Sequence, residues 1–182
     1  MFLARGQRGE RQATIERLYG AIVTQARLPI FYRALAVPDT VEGRFELIVL
    51  HVHLLFRRLA GEKETIRAFG QEVFDRFIAD MDASLRELGV GDFALARKMR
   101  DVGEAYYGRA NAYEAPLAGC DEAGLTAALQ RNVYGGEASA EESARRLARY
   151  VRRADRALAG QDAAAIIGGG PLFPALTFSS GA

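Results

Sequence analysis

The chain has 182 residues, a length sufficient for one domain with a buried core. Apolar residues make up 49%, charged residues 26%, and the formal net charge is +1, which argues against a disordered chain and against a strongly basic or acidic protein. Cys120 is the single cysteine, so an internal disulfide is excluded and a reducing compartment fits. The N-terminus lacks the apolar core of a secretory signal, and no apolar run is long enough to span a bilayer. These features predict a cytoplasmic protein.

Apolar residues recur at intervals of three and four, which predicts about six helices and no strand. The first helix covers about Glu10–Ala26 and is followed by a connector in which Pro29 predicts that a helix ends or restarts. The second helix covers about Thr40–Ala60, with Asp39 or Thr40 as its N-cap and Gly61 as its stop. This helix is apolar on two opposite faces, a pattern typical of a helix in the middle of a bundle.

Four further helices are predicted at about Glu62–Leu88, Phe93–Tyr113, Glu122–Val133 and Ala140–Leu158. Asp92 is the expected N-cap of the Phe93–Tyr113 helix, and its small residues Ala96 and Gly103 predict close approach by a neighbouring helix. The Ala- and Gly-rich tail, residues 161–182, either docks back through Leu172 and Phe173 or is mobile. The sequence therefore predicts an all-α, single-domain bundle over residues 1–182 with a core at 10–160.

Six short motifs follow one another in a fixed order between Leu18 and Val133. They are Tyr19-Gly20 through Arg27 with Pro29 and Phe31-Tyr32, Val37-Pro38-Asp39-Thr40 with Gly43-Arg44-Phe45-Glu46, Leu50-His51 with Arg57-Arg58-Leu59, Asp80-Met81-Asp82 with Leu85 through Asp92, Glu104 through Arg109, and Arg131-Asn132-Val133. In this order the motifs resemble those of the ubiquinol–cytochrome c chaperone family, the assembly factors of respiratory complex III, and the chain resembles a bacterial member.

The resemblance implies an all-helical chaperone, without a cofactor, that assists the biogenesis of cytochrome b or a related subunit of complex III. It also implies a protein client, with a small partner subunit or the ribosome as further partners. Peripheral association with the inner face of the cytoplasmic membrane is compatible with this role. In this interpretation the protein is not an enzyme.

The residues themselves give little support to catalysis or metal binding. His51 and His53 are two positions apart, so on a helix they point in directions about 200° apart and cannot reach one ion. They are interpreted as histidines at the boundary of a core helix. Cys120 has no local base that would form a thiolate. An enzyme with an unrecognised helical active site is the least supported hypothesis.

Aromatic and arginine side chains outside the apolar stripes are the candidate partner-binding residues, because such groups are enriched at recognition surfaces. They are Phe31, Tyr32, Asp39, Arg44, Tyr107 and Arg109. For Arg109 an alternative is a stem that covers apolar surface and a head that pairs with a carboxylate. Phe31 and Tyr32 could equally plug the end of the bundle.

The last predicted helix carries a row of arginines within an arc of about 120°. This basic face consists of Arg145, Arg146, Arg149, Arg152, Arg153 and Arg156. It could contact ribosomal RNA, anionic lipid or an acidic peptide, or it could be a solvated helix face. The alternative function is therefore a ribosome- or RNA-associated translation factor that uses the helix at 140–158.

Overall fold

The computed structural model describes residues 2–169 and 172–175, with residues 2–8 as backbone only. These residues form α-helices and one 3₁₀ turn at Ala138–Ala140, and no strand occurs among them. The helices are α1 (Phe2–Ala26), α2 (Pro29–Arg33), α3 (Val41–Leu59), α4 (Glu64–Glu87), α5 (Asp92–Ala118), α6 (Glu122–Val133), α7 (Glu141–Ala159) and α8 (Ala163–Ile167). The all-α prediction is confirmed, and the six predicted helices correspond to α1 and α3–α7.

The second predicted helix, α3, is central, as its two apolar faces indicated. It contacts α1, α4, α5, α6 and α7. Every residue from 46 to 55 is buried, so both sides of the helix are covered by neighbours. Thr40 is the N-cap, and its hydroxyl accepts a hydrogen bond from the Gly43 N–H at 3.1 Å.

Helix boundaries differ from the prediction mainly in α1 and α5. Helix α1 begins at Phe2 instead of Glu10. Helix α5 continues through Pro116 to Ala118, where a loop was expected. It ends in a left-handed turn at Cys120, whose φ is +54°, and the Asp121 N–H donates to the Pro116 carbonyl.

Two local predictions for α5 are wrong. Asp92 is the first helical residue and not the cap; the cap position belongs to Gly91, and the Asp92 carboxylate accepts a hydrogen bond from Arg86. A Cβ added at Gly103 would meet no atom within 4 Å, so no neighbouring helix approaches there. The first half of α5 therefore packs less closely against the bundle than its apolar stripe suggested.

His51 lies in the core, so its interpretation as a boundary residue is wrong. Its Nε2 is 2.6 Å from the Tyr150 hydroxyl and its Nδ1 is 2.6 Å from the Leu47 carbonyl. Since the Leu47 carbonyl can only accept, the proton of the neutral imidazole lies on Nδ1, and Nε2 accepts from the Tyr150 hydroxyl. The Gln25 amide donates to the same hydroxyl. This buried relay joins α1, α3 and α7.

Part of the tail lies against the same core. Leu172 is buried, and the Phe173 ring packs edge-on against the His51 ring with centroids 4.8 Å apart. The Gln161 side-chain amide donates to the Leu172 carbonyl at 3.4 Å. The remaining tail positions, residues 170–171 and 176–182, lie outside the described residues.

Candidate partner-binding groove

A groove of about 550 Å³ lies between α3, α4 and α5. Its walls are mainly apolar and its edges carry charges. The apolar groups are Val41, Phe45, Ile48, Met81, Leu85, Leu88, Val102 and Ala105, and the charged groups are Arg27, Glu42, Arg44, Glu46, Lys98, Asp101 and Arg109. We call this feature the apolar groove.

The apolar groove is open because the first half of α5 covers little of its neighbours. Before Tyr106, only Leu95 of that helix is buried. Val41 and Leu88, at the ends of α3 and α4, are 64% and 65% exposed. Large apolar side chains exposed beside a groove are typical of a surface that binds a partner.

Arg109 crosses the floor of this groove to a buried carboxylate. Its Nε lies 2.9 and 3.0 Å from the two Glu46 oxygens, and its Nη2 lies 2.5 Å from Oε1. Burial raises the pKa of the Glu46 carboxyl, and the hydrogen bonds from Arg109 oppose that rise. Of the two interpretations of Arg109, the structure shows the one in which the head pairs with a carboxylate.

Arg44 also lines the groove, and it forms an ion pair with Asp39 at 2.8 Å. Both side chains are more than half exposed, so this pair contributes little to stability. The pair follows the Pro38 turn and lies at the start of α3. The structure thus brings Arg44 and Arg109 to one groove, with Asp39 at its margin.

Three predicted aromatic residues do not join this surface. Phe31 is fully buried and packs edge-on against His51 and Tyr150, so its predicted role as an exposed recognition residue is wrong. Tyr32 is half-buried, and its hydroxyl donates to the Ala26 carbonyl. Tyr107 is 62% exposed but lines a different pocket, farther along α5.

The arginines of α7 are partly engaged by other groups of the protein. Arg145 pairs with Glu141 and Glu142, both at 2.6 Å, and Arg149 lies 3.7 Å from Glu122. Arg152 donates to the Pro116 carbonyl and Arg156 to the Arg152 carbonyl. Arg149, Arg153 and Arg156 are exposed, while Arg145, Arg146 and Arg152 are half-buried. The basic face is therefore narrower than the sequence row suggested.

Sequence reasoning missed the apolar residues of the groove, chiefly Phe45, Met81, Leu85 and Leu88. They continue the apolar stripes of α3 and α4, so the pattern alone assigned them to the core. The position of Val41 could have indicated an exposed apolar surface, because an apolar residue directly after an N-cap contributes nothing to capping.

Within residues 2–169 and 172–175, no helix has both the length and the apolar character needed to cross a membrane. The same part of the chain holds no group of three or more His, Cys, Asp or Glu side chains arranged to bind a metal ion.

The fold and the groove define the class, an all-helical domain with an open apolar groove on its surface. The chain belongs to the ubiquinol-cytochrome C chaperone family, whose model matches residues 33–173. The match begins at Arg33, after the first of the six motifs, and continues past Val133 to include α7 with its basic face.

Two curated relatives and one solved structure are similar to the chain. Ubiquinol-cytochrome c reductase complex assembly factor 1 of Mus musculus is 24% identical over 75% of this chain and 46% of its own length. The Xenopus laevis protein of the same name is 23% identical over 75% of this chain and 68% of its own. The chain thus spans about half the length of the mouse relative. The crystal structure of the Cbp3 homolog from Brucella abortus is 35% identical, with a TM-score of 0.87 over 96% of this chain and 97% of the other.

Proposed function

We propose that this protein assists the assembly of respiratory complex III by binding an apolar segment of an unassembled membrane subunit, cytochrome b or a related chain. It acts as a chaperone and catalyses no reaction. Membership of the chaperone family supports complex III as the complex whose assembly is assisted, and the names of the curated relatives support the same complex. The single observation that supports the binding mode is the open apolar groove.

The groove suits a helical segment of a membrane protein. Three helices form its walls, and an amphipathic or apolar helix commonly binds in such a groove by its apolar side. A membrane segment outside the bilayer exposes apolar surface, and each 100 Å² removed from water contributes about 2.5 kcal/mol. Binding therefore protects the segment until lipid or a partner subunit replaces the chaperone.

The charged groups of the groove support binding more than catalysis. Arg109 is held by Glu46, and Arg44 is held by Asp39. A general acid or base needs a proton that it can exchange with a substrate, whereas these groups are occupied by each other. Exposed charges at the edges of the groove, such as Glu42 and Lys98, can orient the polar ends of the bound segment.

The place of action that fits this function is the inner face of the cytoplasmic membrane, where unassembled subunits become available. A translation factor that binds RNA through α7 is less well supported, because arginines of the basic face are engaged by other groups of this chain, among them Arg145, Arg149, Arg152 and Arg156. Phe93 is fully exposed and does not line the groove, so a substitution there serves as a control for substitutions in the groove.

Substitutions at the two exposed edges of the groove test the proposal. We expect the pair Val41→Glu and Leu88→Lys to reduce the cytochrome b recovered with the purified protein at least about fivefold, because each places a charge on the apolar surface. Complex III activity should fall in parallel when this variant is the only copy in a host that assembles the complex.

Phe93→Glu is the matched control, since it charges an exposed aromatic residue that does not line the groove. It should behave as the natural protein. Unchanged cytochrome b and complex III after deletion of the gene would rule out the proposed function. If Phe93→Glu and the Val41→Glu/Leu88→Lys pair reduced cytochrome b recovery equally, the groove would be ruled out as the binding site.

A further inference from the structure

A second pocket, of about 290 Å³, lies where the middle of α5 meets α3 and α4. His53 lines it, and the His53 side chain is only 6% exposed. Its Nε2 is buried and has no hydrogen-bond partner among the residues that the structure describes. A buried polar atom without a partner costs free energy, so a group that enters the pocket and bonds to this nitrogen is favoured. We call this feature the aromatic pocket.

The walls of the aromatic pocket are a succession of rings. The Phe56 and Phe74 centroids are 5.7 Å apart, those of Phe74 and Tyr106 are 4.7 Å apart, and those of Tyr106 and Tyr107 are 5.4 Å apart. Such walls suit a flat apolar group, because aromatic pairs gain edge-to-face and offset contacts in addition to burial. The volume, at the low end for ligand pockets, limits the occupant to about one ring.

The polar end of the pocket selects a hydroxyl. The Glu114 Oε2 lies 3.6 Å from the His53 Nε2, so one oxygen atom can be within hydrogen-bond distance of both. A hydroxyl can donate to the carboxylate and accept from a protonated Nε2, or donate to an unprotonated one. Glu114 also pairs with Arg57, which in turn pairs with Asp155 at 3.0 Å. The cluster of Glu114, Arg57 and Asp155 carries a formal net charge of −1, so an anionic ligand is disfavoured.

We propose that the aromatic pocket binds a neutral phenol ring, with its hydroxyl against His53 and Glu114 and its face against Phe74 and Tyr107. The ring can belong to a small molecule or to a tyrosine side chain of another polypeptide. The site is separate from the apolar groove and does not depend on the proposed function. Burial, and then the charge of Arg57, lowers the pKa of His53 to about 4, so the imidazole is neutral at physiological pH.

The experiment compares p-cresol with toluene, which has the same ring and methyl group but no hydroxyl. Each is titrated into the full chain, and the imidazole signals of His53 and the ring signals of Tyr107 are followed by NMR. We expect p-cresol to bind at least about tenfold more tightly than toluene, since only the phenol satisfies the buried nitrogen. His53→Leu should reduce that preference to about twofold or less.

Glu114→Ala provides a second variant, because this side chain is half-exposed and its loss leaves the core intact. It should also weaken p-cresol, at least about threefold, and leave toluene unchanged. Phe93→Ala, outside both pockets, is the control and should bind like the natural protein.

A third ligand, N-acetyltyrosinamide, distinguishes the two sources of the ring. Binding as tight as that of p-cresol assigns the site to a tyrosine of a partner chain, and loss of binding assigns it to a free phenol. Equal affinities for p-cresol and toluene, or no binding of either at millimolar concentration, would overturn the proposal. The His53 nitrogen would then be satisfied by water alone.

Discussion

At the residue scale, the Glu46–Arg109 pair explains why an arginine lies in an otherwise apolar groove. Glu46 is on the central helix and is nearly fully buried, so it needs a positively charged partner. From a helix on one side of the groove, Arg109 donates from Nε to both Glu46 oxygens and from Nη2 to Oε1. The pair therefore links α3 to the middle of α5.

Removing one member of this pair should cost more than removing both. We expect Arg109→Leu to lower the free energy of unfolding by about 3 kcal/mol, because Glu46 then remains buried without its partner. Combining Arg109→Leu with Glu46→Leu should recover most of that loss, as apolar residues of similar volume often replace a buried ion pair. Urea unfolding of the single and double variants measures this; additive losses would contradict it.

Two buried histidines make stability depend on pH. Burial lowers the pKa of His51 and of His53 to about 4. The unfolded chain, with a histidine pKa of about 6.5, takes up protons first as the pH falls. The stability due to the neutral imidazoles is thus complete above pH 6.5 and is lost progressively towards pH 4.

Between pH 7 and pH 5 each histidine should lower the free energy of unfolding by about 2 kcal/mol. We therefore expect a loss of about 4 kcal/mol for the natural protein and about 2 kcal/mol for His53→Gln, as measured by urea unfolding at the two pH values. The other titratable groups, Glu46 included, are the same in both proteins, so the difference between the two losses reports on His53. The same pH dependence in both would contradict this account.

At the element scale, the turn before α3 explains the Val37–Gly43 motif. A Cβ at Gly43 would overlap the Pro38 carbonyl oxygen, so the first turn of α3 can approach the preceding backbone only with glycine. Ala36 adopts a φ of +52° just before this turn. The motif therefore fixes the direction in which the chain enters the central helix.

Substitution of two glycines separates this requirement from helix propensity. Gly43→Ala should lower the free energy of unfolding by at least about 2 kcal/mol, because the backbone must move away from Pro38. Gly103→Ala, inside α5 with open space around it, should raise the free energy of unfolding by about 0.5–1 kcal/mol. Thermal and urea unfolding measure both changes, and opposite signs are the expected result.

Helix α5 also shows where helical periodicity stops being informative. Its stripe of Leu95, Met99, Val102 and Tyr106 predicts one continuous buried face. In the structure Leu95 and Tyr106 are buried, whereas Met99 and Val102 are half-buried, and Val102 lines the groove. Periodicity records which side of a helix is apolar, but the distance to the next helix depends on how all the helices pack.

At the scale of the whole molecule, the sequence predicted that α3 is central. It did not predict which residues the packing around α3 would bury. Two apolar faces required neighbours on both sides, and the structure supplies α1 and α7 as well as α4, α5 and α6. The same sequence reasoning left Phe31 with two alternatives, a recognition surface on the connector or a plug at the end of the bundle. Its burial follows from the packing of α2 over His51 and Tyr150, which are 20 and 119 positions away in the chain.

The sequence by itself determined the helices, the central one among them and the family, because these depend on local spacing and on motifs that remain in order along the chain. Only the tertiary structure decided which apolar residues stay uncovered and which charges find partners. Glu46 pairs with Arg109, and Val41 and Leu88 line the same groove, because packing brings distant segments of the chain together. Exposure is a property of the packed molecule, since the same apolar side chain belongs to the core or to a binding surface depending on the helix that covers it.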